Sequence, residues 1–142
     1  MSRARWPDGA RVTVCVLVHA EHIEWLPPAE VVVPPAIVHR GPYPRYPDTH
    51  EITPYEYGNW VGVFRLMALL DELGVRATVP MEAVVASHYP TVVEASLARK
   101  WELIGHAPVS SRLLHEVLSE SAEREYIEQA LDGITAVTGT KP

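Results

Sequence analysis

Residues 12–18 read VTVCVLV and run straight into 19-HAEHIE-24. Seven consecutive apolar or β-branched residues, with no polar alternation, predict a strand covered on both faces, as in a parallel sheet. The abrupt change at His19 places two histidines and two carboxylates at the C-terminal end of that strand. This is the side on which parallel α/β folds gather their reactive groups. Cys15, the only cysteine, falls inside the run and is expected to be a buried, inert thiol. A single cysteine excludes an internal disulfide and fits a reducing cytoplasm.

The rest of the chain alternates strand and helix. Residues 60–73, WVGVFRLMALLDEL, are apolar at helical spacing, with Asn59 placed as N-cap and Gly74 as the left-handed terminator. A short strand, 75-VRATVP-80, follows and is expected to stop at Pro80. A helix is expected from about Pro90 to Lys100, then a third strand at 101-WELIG-105. The last helix spans 119–139, capped by Ser119 or Ser121 and stopped by Gly139. Ala122, Tyr126, Ala130, Ile134 and Val137 line one of its faces. This order implies an α/β fold of parallel strands with helices packed outside. Three strands cannot close a barrel, so an open parallel edge is expected.

Composition limits the partners. A net charge of −6 argues against a nucleic-acid or anionic-membrane surface, and no apolar run approaches the length of a membrane span. No secretory leader is read in the first residues. Of the 13 prolines, most lie between Pro27 and Pro90. Residues 27–54 read as a long structured loop rather than a linker, since Val31–Val33 and Ile37–Val38 are too apolar for one. Within it, 43-YPRYP-47 has the composition of a polyproline segment.

Two segments carry candidate chemistry: 19-HAEHIE-24 after the first strand and 105-GHAPVSSR-112 after the third. Both strand ends face one rim, so Glu21 and His106 are expected to converge. A carboxylate and an imidazole brought together suit metal binding or acid–base work near neutral pH. His22 and Glu24 either brace the Glu21 loop or are solvated. Tyr55 and Tyr57 either wall a substrate pocket or pack the loop. Ser110–Ser111 beside His106 lack the Gly-x-Ser-x-Gly elbow of a serine hydrolase.

The segment 55-YEYGNWVGVFRLMALLDELGVRATVPMEA-83, with 21-EHIE-24, 88-HYP-90 and 101-WELIGH-106 in order around it, resembles polysaccharide-deacetylase-type proteins. These form the NodB-homology or carbohydrate esterase family 4 group. The resemblance is nearest to the subgroup of PuuE-type allantoinases and cyclic imide hydrolases. It implies an irregular (β/α) barrel of which residues 1–142 supply the N-terminal half. A second polypeptide, or self-association, would complete it. It also implies a hydrolase of carbon–nitrogen bonds in a small or cyclic amide, an imide or an N-acetyl substrate. The alternative is a non-catalytic scaffolding subunit of a partner's barrel.

Carried over by position, Glu21 takes the place of the acidic metal ligand and His106 that of the first histidine ligand. His19 stands where the family has its catalytic base, and Ser110 where it has a second histidine. The resemblance therefore implies a divalent cation such as zinc on Glu21 and His106, or metal-independent chemistry as the subgroup's own departures suggest. The candidate catalytic residues are His19, Glu21 and His106. Glu24, Tyr57 and Ser110 are the candidates for substrate contact.

Overall fold

A computed structural model of the chain describes residues 9–26, 47, 49–114 and 118–142. Its sheet is centred on β1 (Thr78–Met81), which pairs in parallel with β2 (Glu102–Gly105), Thr78 opposite Glu102 and Met81 opposite Gly105. On the other side of β1 lies the 16–20 segment, also parallel, held by Thr78 N to Val16 O, Val18 N to Thr78 O and Ala20 N to Pro80 O. The order is 16–20 segment, β1, β2.

The sequence placed Pro80 as a strand stop, yet it sits inside the central strand. In a parallel ladder a residue's N–H and C=O point to the same neighbour. Pro80 offers its carbonyl to Ala20 but has no N–H to return, so the ladder with the 16–20 segment breaks there. It resumes at Glu82, whose N–H donates to Ala20 O at 3.1 Å. That break explains why the first segment pairs through isolated bridges instead of a continuous strand.

The expectation that residues 12–18 are covered on both faces is only half met. Val18 and Ala20 are buried, but Val12, Val14 and Leu17 are exposed at 73%, 80% and 51%. Cys15 is exposed too, contrary to the reading of it as a buried thiol. The 16–20 segment forms an edge among the described residues. An unbroken apolar run cannot distinguish an edge strand with one bare face from a central one.

The helices pack on the sheet through a core that includes Met67, Leu70, Val79, Met81, Val85, Val92, Val93, Trp101, Leu103 and Ile134. Each such side chain contributes about 1.5–3 kcal/mol by leaving water. The helical stretch before β1 begins at Thr49, well before the Trp60 start that the sequence suggested. It runs as α1 (Thr49–Tyr57), a π-helical turn (Gly58–Gly62) and α2 (Val63–Glu72). Asn59 is therefore interior to the turn and caps nothing; the reading failed because Pro54, inside α1, looked like a loop signal. The proline-rich loop expected over 27–54 overlaps α1 at its end. Residues 27–46 and 48, with most of 43-YPRYP-47, lie outside the described residues.

Gly74 ends the helix as expected, at φ +65°. Gly74 N donates to Asp71 O and Val75 N to Leu70 O, the paired bonds of a Schellman motif. After β1 comes α3 (Ala83–His88), which the sequence did not reveal, then α4 (Pro90–Ala98) with Pro90 in its first turn. Six residues are too few for helical periodicity to show. After β2 comes α5 (Glu120–Thr138), where the Ser119 hydroxyl accepts from Ala122 N and Gly139, at φ +71°, closes the helix. Of its expected apolar face, Ala130 and Ile134 are buried and Val137 is exposed. Among the described residues no helix is long and apolar enough to cross a membrane.

Candidate active site

The C-terminal ends of the 16–20 segment and β2 flank that of β1, so residues just beyond them meet. Glu21 Oε1 lies 3.3 Å from His19 Nδ1 and 3.4 Å from His106 Nε2. The two imidazoles meet edge to face, with ring centroids 5.3 Å apart. One ligand atom from each of the three lies within 4.8 Å of the others. The Glu21 side chain is 29% exposed and the imidazoles 48% and 40%, so solvent and solutes reach them. Alternation of side chains along an extended strand puts His19 and Glu21, two apart, on the same face. His106 is fixed from the other side by its N–H bond to Met81 O at 3.0 Å.

Two imidazoles and a carboxylate are a donor set that suits zinc or a similar divalent cation, leaving positions open for water or substrate. The third donor is His19. Ser110, which stands in the sequence position of a second histidine, donates its hydroxyl to Glu82 Oε1 at 2.6 Å.

Beside His19 and Glu21 opens a cleft of about 300 Å³, walled by Val18, Tyr55, Asn59 and Leu66. Tyr57, a candidate for substrate contact, does not line it; its hydroxyl accepts from Arg65 Nη1 at 2.7 Å. Tyr55, the other tyrosine weighed, takes that place. Glu24 is engaged as well, accepting a hydrogen bond from the Ser111 hydroxyl. Neither Glu24 nor Ser110 lines the cleft, and both serve to tie loops together.

Behind the Glu21 loop lies a second polar network. His22 Nδ1 is 3.0 Å from Tyr89 Oη, which donates to Glu56 Oε1 at 2.9 Å. Trp60 Nε1 donates to the other Glu56 oxygen. Burial pushes the His22 imidazole below its ordinary value, helped by His88 stacked at 5.1 Å and opposed by Glu56 and Glu24. Burial, and then the hydrogen bond to Glu56, push the Tyr89 phenol up to about 12. His22 thus braces the loop, one of the two readings the sequence left open. His88 is held by Val84 O, 3.1 Å from its Nδ1.

The sequence reading missed Glu82. It is 1% exposed, follows β1 directly, and accepts from the His22 N–H at 2.7 Å as well as from Ser110. Burial raises its pKa; the donors from Ser110 and His22 lower it, and nearby Glu21 raises it further. The available signal was a lone carboxylate inside the otherwise apolar stretch 77-ATVPMEAVVA-86.

No family model matches the chain, and no curated protein matches it. Solved structures do. PuuE allantoinase superposes over 96% of the chain with a TM-score of 0.77 at 23% identity. A polysaccharide deacetylase described as putative, from Mycobacterium smegmatis, superposes over all of it with a TM-score of 0.72 at 22% identity. One described as a probable polysaccharide deacetylase, from Pseudomonas aeruginosa PAO1, is 32% identical over 63% of the chain, with a TM-score of 0.58. The chain spans 46%, 45% and 29% of those three structures. The resemblance carried by the motifs is thus met in three dimensions: the chain has the fold of polysaccharide-deacetylase-type proteins, the group that includes PuuE allantoinase, over the part of their length that it spans.

Proposed function

We propose that the rim formed by His19, Glu21 and His106 belongs to a hydrolase of carbon–nitrogen amide bonds, acting on a small or cyclic amide, an imide or an N-acetyl group. The observation that carries this reading is the meeting of two imidazoles on one carboxylate oxygen at the mouth of a cleft sized for a small molecule. The structural neighbours, an allantoinase and two deacetylases by description, support it.

In this reading water adds to the amide carbonyl, a C–O bond forms and the C–N bond breaks. His19, oriented by Glu21, takes the proton from the attacking water, and the imidazole pair returns one to the leaving nitrogen. Glu21 stabilises whichever imidazole is protonated. A divalent cation held by His19, Glu21 and His106 would replace the base role of His19: it would polarise the carbonyl and make its bound water acidic enough to attack without an imidazole base.

We further propose that the site is completed by a second polypeptide segment pairing at the open sheet edges. Val12 and Val14 just before the 16–20 segment, Leu17 within it and Ile104 in β2 are exposed apolar residues, which supports an apolar partner there. The developing oxyanion would be stabilised by donors from this chain or from that segment.

The test is hydrolysis of cyclic amides and N-acetylated amino sugars by the protein in its native assembly. Loss of activity by about 10²-fold or more in Glu21→Gln and in His106→Ala supports the reading. An assembly whose amide hydrolysis is indifferent to both substitutions refutes it and leaves the chain a scaffolding subunit.

A further inference from the structure

Glu21 and His106 come from loops far apart in sequence, and the strands that launch them are separated by β1. Something must set the distance between the two loops. Glu82 is placed to do so. Its backbone N–H holds Ala20 O, immediately before Glu21. Its Oε2 accepts from the His22 N–H, immediately after Glu21. Its Oε1 accepts the Ser110 hydroxyl from the loop that carries His106. One carboxylate at the end of the central strand therefore bridges both flanking loops. A second tie runs parallel to it, from the Ser111 hydroxyl to Glu24.

Packing alone does not account for this residue. Its neighbours in the core are apolar, and a buried carboxylate is costly unless its oxygens are satisfied. Glu82 also occupies the N-cap position of α3, where its backbone carbonyl accepts from Val85 N and Ala86 N but its side chain makes no cap bond. Its side chain is turned instead toward the two loops. It is 1% exposed and has both oxygens occupied, so it has no access to substrate.

We propose that Glu82, acting through Ser110 and the His22 amide, is a positioning residue that fixes the spacing of Glu21 and His106. The inference rests on the amide-hydrolase reading of the rim. In the same view Ser110 is the second half of the clamp and not a ligand.

The variants are Glu82→Gln, which keeps the shape and one acceptor, and Ser110→Ala, a half-buried change that leaves the core untouched. In the native assembly we expect kcat to fall about 10- to 100-fold in Glu82→Gln with little change in KM, the scale seen for residues that orient first-contact groups. Ser110→Ala should fall less, in the same direction. The double variant should lose no more than Glu82→Gln alone, because both remove one clamp. The second readout is the NMR resonance of the His22 amide and of the His106 ring: both should shift in Ser110→Ala. Unchanged kcat and unchanged resonances in Ser110→Ala, or fully additive losses in the double variant, overturn the proposal. A wild-type assembly without amide hydrolysis refutes the reading of the rim. The inference then stands or falls on the two resonances alone.

Discussion

The side-chain amide of Asn59 donates to the backbone carbonyl of Glu21 at 2.7 Å, joining the π-helical turn to the loop that bears the site's carboxylate. Asn59 is 6% exposed, and its removal leaves the Glu21 carbonyl without this donor. The π turn, a frequent feature of functional sites, supplies the bulge that aims this side chain inward. Asn59→Ala should cost about 1–3 kcal/mol of stability, the penalty for stranding a buried acceptor. Urea denaturation measures it, and a loss under about 0.5 kcal/mol, the ordinary scatter of surface changes, would show that the bond is dispensable.

Gly133 is where α5 closes on α3. A Cβ added there would lie 2.4 Å from Ala83 Cβ and 3.2 Å from Ala83 Cα. Gly133→Ala gains up to about 1 kcal/mol in helix propensity, but the overlap forces the helices apart at a cost of about 1–3 kcal/mol. The expected outcome is net destabilisation, relieved in part by adding Ala83→Gly. A thermal melt in which Gly133→Ala is more stable than wild type contradicts the packing described.

Tyr89 carries a phenol whose folded value, about 12, lies above the ordinary 10. A raised acid binds its proton more tightly in the folded state. Its contribution is fully present below about pH 10 and is lost as pH rises from there to about 12. In an ultraviolet titration Tyr89 should ionise late, as should Tyr126, which burial also raises, and Tyr89→Phe should remove one tyrosine from that late phase. The same substitution also strips a hydrogen bond from Glu56.

Glu82 follows the same sign. Burial lifts its pKa from the ordinary 4.5, so the proton is favoured on folding. Its effect on stability is most favourable below pH 4.5 and diminishes as pH rises through the folded value. Glu82→Gln abolishes that slope. Denaturation midpoints measured from pH 4 to 7 should therefore flatten in the variant, and parallel curves for the two proteins would contradict the shift.

Zinc titration followed by histidine NMR provides a direct measure of the rim as a donor set. The His19 and His106 ring resonances should move together with a single affinity. Glu21→Gln should weaken that affinity by at least about 10- to 100-fold, since even outer residues of metal sites have effects of that size. Independent titration of the two rings at different zinc concentrations would rule out a shared ion.

Much of this site is legible in the sequence. Glu21 and His106 were paired because apolar strands ended at polar residues on a common rim, and the pair is formed at 3.4 Å. The last helix was marked by local chemistry, a serine cap and a left-handed glycine, which act within one turn. What stayed hidden depended on contacts between distant residues. Whether the face bearing Val12 and Val14 is covered depends on which strands lie alongside. The roles of Asn59 and Glu82 were concealed for the same reason: their partners, Glu21 O and the Ser110 hydroxyl, are remote in sequence. α3 was too short to show a period, and Pro54 and Pro80 sit where proline rarely does, one inside a helix and one inside a strand.

Pro80 leaves one rung out of the ladder between β1 and the 16–20 segment. The segment that presents His19 and Glu21 is therefore stitched to the sheet above and below a gap instead of all along its length. Its amides should exchange with deuterated solvent ahead of those joining β1 to β2, making this seam the first to open in the native protein. Beyond that gap, the ties from Glu82 to Ala20 and His22 carry the task of holding the Glu21 arm to the sheet.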